Sequence, residues 1–297
     1  MESYKVMIYL FLLLFLYTCT GTQGNGVYDN DNTDSTQNNK ALSVIGWNIQ
    51  NYPKHSQTNS DLKDIINQLD VDIIALQEIE NNQAFNSLIE SLDGNWVGYR
   101  ADLNSNYQEL AYAINTDEIN IISLYNILEQ DEYYFAYRPP YVLEFIFNDE
   151  SYVMINNHYK CCDINESDFE RRVMASELLN QYVDEFLDTQ NVIIIGDLND
   201  SLDDSDDSNA FLPFINDSAN YIITDYNIAV GVNDYWSFPS YPSHIDHIII
   251  TTELSDIFNN GESFVETLLI DIDFYNSWSE YDQFISDHRP MRLVLQP

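Results

Sequence analysis

Eight short apolar runs, rich in β-branched residues, recur between residues 42 and 295, and several are followed within two residues by an Asn, Glu, His or Asp. They are Leu42–Trp47, Val71–Leu76, Leu110–Ile114, Val142–Phe147, Tyr152–Asn156, Val192–Ile195, Ile245–Ile250 and Arg292–Leu295. Their length and composition predict strands rather than helices. Helical spacing falls between some of them. Ser60 is placed to cap a helix through Leu69, with Ile65, Ile66 and Leu69 facing inward. Phe85, Leu88, Ile89 and Leu92 fit a second helix, and Phe169 to Phe186 a third, longer one. Strands mixed with helices predict an α/β domain, whose strand ends are where sites form.

The N-terminus differs from the rest. Lys5 precedes an apolar run, Val6 to Tyr17, which is shorter than the roughly 18 residues of a membrane span and matches the core of a signal peptide. Residues 1–24 are therefore expected to be a leader, 25–40 a polar flexible linker, and 41–297 one domain, with no repeat or second linker inside it. Leu16-Tyr17-Thr18-Cys19 resembles a bacterial lipobox with Cys19 as the lipidated residue, although Tyr17 and Thr18 depart from its small residues. Release from the cell and anchoring at the outer cell surface both stay open.

Eleven Lys and Arg face 49 Asp and Glu, a net charge of −38. Such a surface repels polyanions over a screening length of roughly 10 Å, and it excludes a broad basic face for nucleic acid. A phosphate substrate has to be handled by a few local groups, with divalent cations as the obvious mediators. Nothing implies a stable protein partner, and a monomer is expected. Beyond the leader only Cys161 and Cys162 remain, which excludes a disulfide scaffold and a structural zinc.

The polar residues beyond the runs are unremarkable singly. Asn48, Glu78 and His158 each follow a run, and Asp197 and Asn199 sit in Gly-Asp-Leu-Asn-Asp. Asp246 lies inside Ile245–Ile250, where a carboxylate needs a partner, and an imidazole would serve. Asp287 and His288 precede the last run. Taken together they supply what metal-assisted hydrolysis of a phosphate ester requires: carboxylates for Mg²⁺, a base for water, and imidazoles for developing charge.

Six segments carry a resemblance. Gly46-Trp-Asn-Ile-Gln-Asn51, Leu76-Gln-Glu-Ile79, Asn156-Asn-His158, Gly196-Asp-Leu-Asn199, Ile245-Asp-His-Ile248 and Ser286-Asp-His-Arg-Pro290 resemble, in order, the motifs of the endonuclease/exonuclease/phosphatase superfamily, which includes DNase I. The resemblance implies a four-layered α/β sandwich, with two mostly antiparallel sheets face to face and helices outside. It also implies roles. Glu78 is the principal metal ligand, with Asn48 at the metal or phosphate and Asp287 near the metal. Asp197 orients or deprotonates the attacking water, with Asn199 beside it. Asp246 holds His288, and His158 is the second phosphate-facing imidazole. Tyr107-Gln108-Glu109 matches a segment whose Glu orients that imidazole, which makes Glu109 its partner and puts Tyr107 near substrate. Arg138 matches a phosphate-contacting Arg. Mg²⁺ is the implied cofactor, with Mn²⁺ or Ca²⁺ as substitutes.

The implied substrate is nucleic acid, DNA first. The alternatives are small phosphoesters or lipid head groups, and a non-catalytic binding module. A lipid enzyme would expose an aromatic hairpin; Tyr133, Tyr134 and Phe135 fit one, or a buried strand. Cys161 and Cys162, beside His158, are in position for a vicinal disulfide or for two structural thiols. The acidic run Leu202 to Ser208 lacks the Gly and Glu of an EF-hand and reads as a solvated loop.

Overall fold

The computed structural model describes residues 40–103, 107–162, 166–205 and 208–297. The expected leader over 1–24, Cys19, and the expected linker apart from Lys40 lie outside them, as do two residues of the acidic run 202–208. Among the described residues the strands are β1 (Leu42–Tyr52), β2 (Ile73–Ile79), β3 (Trp96–Arg100), β4 (Glu109–Asn115), β5 (Asn120–Asn126), β6 (Tyr141–Phe147), β7 (Glu150–His158), β8 (Asn191–Asp197), β9 (Tyr221–Ile223), β10 (Asp246–Thr251), β11 (Phe264–Thr267) and β12 (Met291–Leu295).

They form two six-stranded sheets, ordered β11-β12-β1-β2-β4-β3 and β5-β6-β7-β8-β10-β9. Each sheet has one parallel pair, β1–β2 and β7–β8, and is otherwise antiparallel. Strand alternation assigns the faces. From β1, Leu42 and Val44 join Tyr112, Leu143, Met154, Ile193 and Leu293 in a core between the sheets. Ile45, Trp47 and Ile49 face the other way. From β8, Ile193 and Ile195 point inward, whereas Val192 and Ile194 point outward. Each fully buried aliphatic side chain contributes about 1.5–3 kcal/mol relative to exposure.

Helices cover both outer faces. Leu62, Ile65 and Ile66 of α1 (Thr58–Ile66) and Phe85, Leu88 and Ile89 of α2 (Asn82–Ser91) pack with Tyr281 on the first sheet. Ala175, Leu179 and Val183 of α3 (Glu166–Phe186) pack on the second. This is the four-layered α/β sandwich. Ser60 does not cap α1: the helix starts earlier, after Gln57, and Ser60 Oγ donates back to Gln57 O. Leu69 lies past its end and is only partly buried. Tyr133, Tyr134 and Phe135 form neither hairpin nor strand but turns before β6, with Phe135 buried and Tyr133 exposed under the Arg171 guanidinium. Among the described residues no helix is long and apolar enough to cross a membrane.

Near one end of the sandwich the sheets touch through polar groups. Asn156 on β7 donates to the Leu76 and Ala111 carbonyls of the facing sheet and accepts from Gln77. The sheets also approach closely at Gly46, where a Cβ would lie 2.8 Å from the Ile195 side chain.

Candidate active site

Register puts the expected chemistry in one row. On the second sheet His158, the last residue of β7, pairs with Asp197, the last of β8, and Asp197 pairs with Asp246, the first of β10. Gly196 makes this possible. Its φ of +140° is open to glycine, and a Cβ there would meet the Asn157 carbonyl at 2.0 Å. The first sheet supplies Asn48 and Glu78, and the segment before β12 supplies Asp287 and His288. These residues, Asn48 and Asp246 excepted, line a cavity of about 730 Å³.

Hydrogen bonds tie the two sheets together within the site. His288 Nδ1 lies 2.7 Å from Asp246 Oδ2, as the sequence predicted for that carboxylate. Asn48 Nδ2 donates to Asp197 Oδ2 at 2.9 Å and to Glu78 Oε1 at 3.1 Å. Asp197 Oδ2 also faces both imidazoles, with His158 Nε2 at 3.5 Å and His288 Nε2 at 3.8 Å. The two rings are driven apart. Burial pushes His158 well below the ordinary imidazole value, and Arg138, His288 and Lys160 push it the same way. Burial would also lower His288, but Asp246 and Asp197 override it and raise it to about 10. His158 is thus neutral and His288 an imidazolium at neutral pH. Burial, with Asp246 and Glu78, lifts Asp197 to about 7 against the opposing His288 and Asn48.

Two bulges aim the remaining carboxylates. Glu78 has φ +66°, where the β2–β4 register shifts, and Gln50 and Asn51 have φ +28° and +48°, where β1–β2 shifts. The backbone N–H of Asn51 then donates to Glu78 Oε2 at 2.7 Å, and Gln50 Nε2 donates to Asp287 Oδ2 at 2.5 Å. Asp287 Oδ1 is buried and has no hydrogen-bond partner among the described residues. Burial raises the Asp287 carboxyl.

Other expected residues are placed differently. Arg138 is buried and does not line the cavity; it donates to Gln108 and to the His158 and Tyr159 carbonyls, so it braces the turn after His158 instead of facing substrate. Asn199, at φ +53°, does sit beside Asp197 as expected: its backbone N–H donates to Asp197 Oδ1 at 3.1 Å, and its side chain donates to the same Tyr159 carbonyl from the cavity wall. Glu109 is buried at the start of β4, but His158 Nδ1 finds no hydrogen-bond partner among the described residues, so the expected contact between them is not made. Tyr107 is exposed on the rim. Cys161 and Cys162 are two free, exposed thiols with sulfurs 3.0 Å apart, not a disulfide.

Sequence reasoning missed several contributors. Gln50 is one. Ser286 Oγ donates to the Asn48 carbonyl and accepts from His288 N, which fixes the imidazole's approach. Phe238 packs on the His288 ring at 4.8 Å, with Tyr241 stacked beyond it. Behind that loop is a buried cluster. Asp225 Oδ2 meets His244 Nε2 at 2.9 Å and His247 Nδ1 at 2.7 Å, while Oδ1 accepts from Ile248 N. His247 Nε2 faces the Asp200 carbonyl at 2.9 Å. Both His247 nitrogens face acceptors, so the ring carries both protons. Nothing in the spacing of Asp225, His244 and His247 advertised the contact; His-Ile-Asp-His, read for Asp246 alone, was the available signal.

Fold and site together define a phosphoesterase- and nuclease-like α/β sandwich, with acid–imidazole pairs at one end of the sheets. The Endonuclease/Exonuclease/phosphatase family model matches residues 45–288, and the chain belongs to that family. Members are hydrolases acting on phosphodiester bonds, typically with a metal ion. No curated protein sequence matches the chain. Among solved structures it is similar to D. rerio TDP2 complexed with a single-strand DNA product (13% identity, 86% of this chain and 99% of that one, TM-score 0.62). It is also similar to an endonuclease/exonuclease/phosphatase family protein from Bacteroides thetaiotaomicron (17%, 86% and 98%, TM-score 0.60). The human Nocturnin catalytic domain with bound sulfate is a third (14%, 86% and 93%, TM-score 0.58). At these identities the likeness is one of fold.

Proposed function

We propose that the protein is a Mg²⁺-dependent phosphodiesterase of the cell exterior, released or lipid-anchored at Cys19, that cleaves a nucleic-acid strand, DNA first, by direct attack of water. The observation that carries this is the placing of two imidazoles of opposite protonation around one carboxylate oxygen, at 3.5 and 3.8 Å. Asp197 orients the water and takes its proton at Oδ2; a base near 7 suits that task. His158, neutral, donates from Nε2 to a non-bridging phosphate oxygen. His288, held charged by Asp246, stabilises the negative charge that builds on phosphorus-bound oxygen.

The donors fit a hard divalent cation. Glu78 and Asp287 present carboxylate oxygens to the cavity, and the buried Asp287 Oδ1, 3.9 Å from His288 Nε2, accepts no hydrogen bond among the described residues. Asn48 holds Glu78 toward that side. Mg²⁺, or Mn²⁺ or Ca²⁺ in its place, supplies charge neutralisation on the phosphate when bound.

A second reading has one observation in its favour. No Lys or Arg is among the residues lining the cavity, while Asp200 and Asp204 are. That favours a small ester with a single phosphate over a polymer. Hydrolysis of supercoiled plasmid, bis-p-nitrophenyl phosphate and p-nitrophenyl phosphate, with Mg²⁺ and with EDTA, separates the readings. Mg²⁺-dependent nicking that is lost in His158→Ala and Asp197→Ala supports the nuclease. Activity only on the small esters moves the substrate to the second reading. A folded protein inactive on all of them overturns the enzymatic assignment for these substrates and favours a binding module.

A further inference from the structure

Cys161 and Cys162 stand on the wall of the active-site cavity, three and four residues past His158. Hydrolysis as derived above uses neither. Cys162 Sγ donates to Cys161 Sγ across 3.0 Å, and Lys160 Nζ lies 3.9 Å from Cys161 Sγ. Closing the pair to a covalent length of about 2.05 Å takes a movement of about 1 Å. We propose that this vicinal pair is a thiol–disulfide exchange site that takes a small-molecule disulfide, and that its oxidation reshapes the cavity wall while leaving the His158 imidazole in place. The effect on hydrolysis rests on the function proposed above; the exchange chemistry does not.

The two thiols have distinct roles. Cys161 Sγ is the acceptor of the pair and the sulfur that faces the Lys160 ammonium. Cys162 is pushed up to about 11, first by its hydrogen bond to Cys161 and then by burial. With Cys162 keeping its proton in that hydrogen bond, Cys161 gives up its own and attacks, as the thiolate, one sulfur of the incoming disulfide, forming a mixed disulfide and expelling one thiolate. Cys162 then loses its proton and attacks Cys161 Sγ, forming the Cys161–Cys162 bond and expelling the second thiolate. Two electrons pass from the pair to the oxidant, and the two cysteine protons end on the two released thiols.

The main chain decides how far the change spreads. Arg138 holds the His158 and Tyr159 carbonyls, Asn199 holds Tyr159, and Arg172 holds the Lys160 carbonyl. The Cys161 carbonyl is held by the flexible Lys160 ammonium, and Cys162 turns at φ +65°. The pinned stretch ends where the thiols begin, so oxidation moves the wall and not the row of catalytic groups.

The full-chain protein, equilibrated in buffers of oxidised and reduced dithiothreitol, alkylated and cut with trypsin, yields the peptide Cys161–Arg171. The expected result is two alkyl groups under reducing conditions, and none under oxidising ones, with a mass lower by two hydrogens. Across that titration kcat on bis-p-nitrophenyl phosphate holds, while KM for a short oligonucleotide shifts about threefold or more. A peptide that stays doubly alkylated in oxidant overturns the exchange site. The same KM shift in the double variant Cys161→Ser/Cys162→Ser overturns the link to the cavity. An oxidised peptide in a protein that hydrolyses nothing in either state leaves the exchange site standing and sinks the function proposed above.

Discussion

Asp197 Oδ2 is the atom on which the site converges, since Asn48, His158 and His288 all face it. Asp197→Asn keeps the shape and removes the base; kcat on bis-p-nitrophenyl phosphate should fall about 10²–10⁴-fold with KM little changed. The buried Asp225 makes a prediction about stability. Losing its carboxylate strands the His247 imidazolium, so Asp225→Asn should destabilise by about 3–5 kcal/mol in urea unfolding. Its pH dependence follows from both partners. His247 is raised: burial opposes this, but Asp225 prevails, so its contribution is full below the ordinary imidazole value and fades as pH rises through the folded value. Asp225 is lowered by His247 and His244 despite burial, so its contribution is full above the ordinary carboxylate value and fades in acid. The gap between wild type and variant should be widest between about pH 4 and 6.5. An equal gap at pH 5.5 and pH 9 would count against the ion pair. At this scale the sequence picked out most of the side chains that meet around Asp197, because they recur at strand ends in a fixed order. It hid Gln50 and Ser286, whose contacts depend on a bulge and a turn that residue types alone do not reveal.

Elements were legible where they are buried on both faces. The four strands absent from the sequence reading, β3, β5, β9 and β11, are the four edges of the two sheets. An edge strand has a neighbour on one side only, and its residues here are largely exposed or half-buried, so no apolar run is required of it. The central runs were found, but most of their ends were misplaced, by up to five residues: β1 continues to Tyr52 because a bulge carries it past Asn48. Gly196 tests how much the row depends on one backbone conformation. Gly196→Ala should destabilise by about 1–3 kcal/mol from the forced φ alone, and further from the Asn157 carbonyl. A thermal melt and the Mg²⁺-dependent rate should both record it; an unchanged melt would show that β8 can be rebuilt there.

The molecule as a whole works against its proposed substrate. With a net charge of −38 and a cavity wall without Lys or Arg, it repels a polyanion until salt intervenes. Most nucleic-acid enzymes lose affinity as salt rises. Here kcat/KM on single-strand DNA should instead increase several-fold between about 10 and 150 mM salt, while the rate on bis-p-nitrophenyl phosphate stays flat. Initial rates at constant Mg²⁺ decide this, and a falling DNA rate would reveal a cationic path that the described residues do not contain. The net charge was plain in the sequence. That the basic residues avoid the cavity was not, because Arg138 and Arg172 turn their guanidinium groups inward onto backbone carbonyls.

The bonds Asp246–His288 and Asn48–Asp197 each join one sheet to the other, and Asn156 stitches the same seam from behind. Neither layer owns a working half. A protease nick, a fragment or a partly opened intermediate that let the sheets slide would keep most of its secondary structure and still be catalytically dead. Turnover is therefore a gauge of whether the two layers are closed on one another.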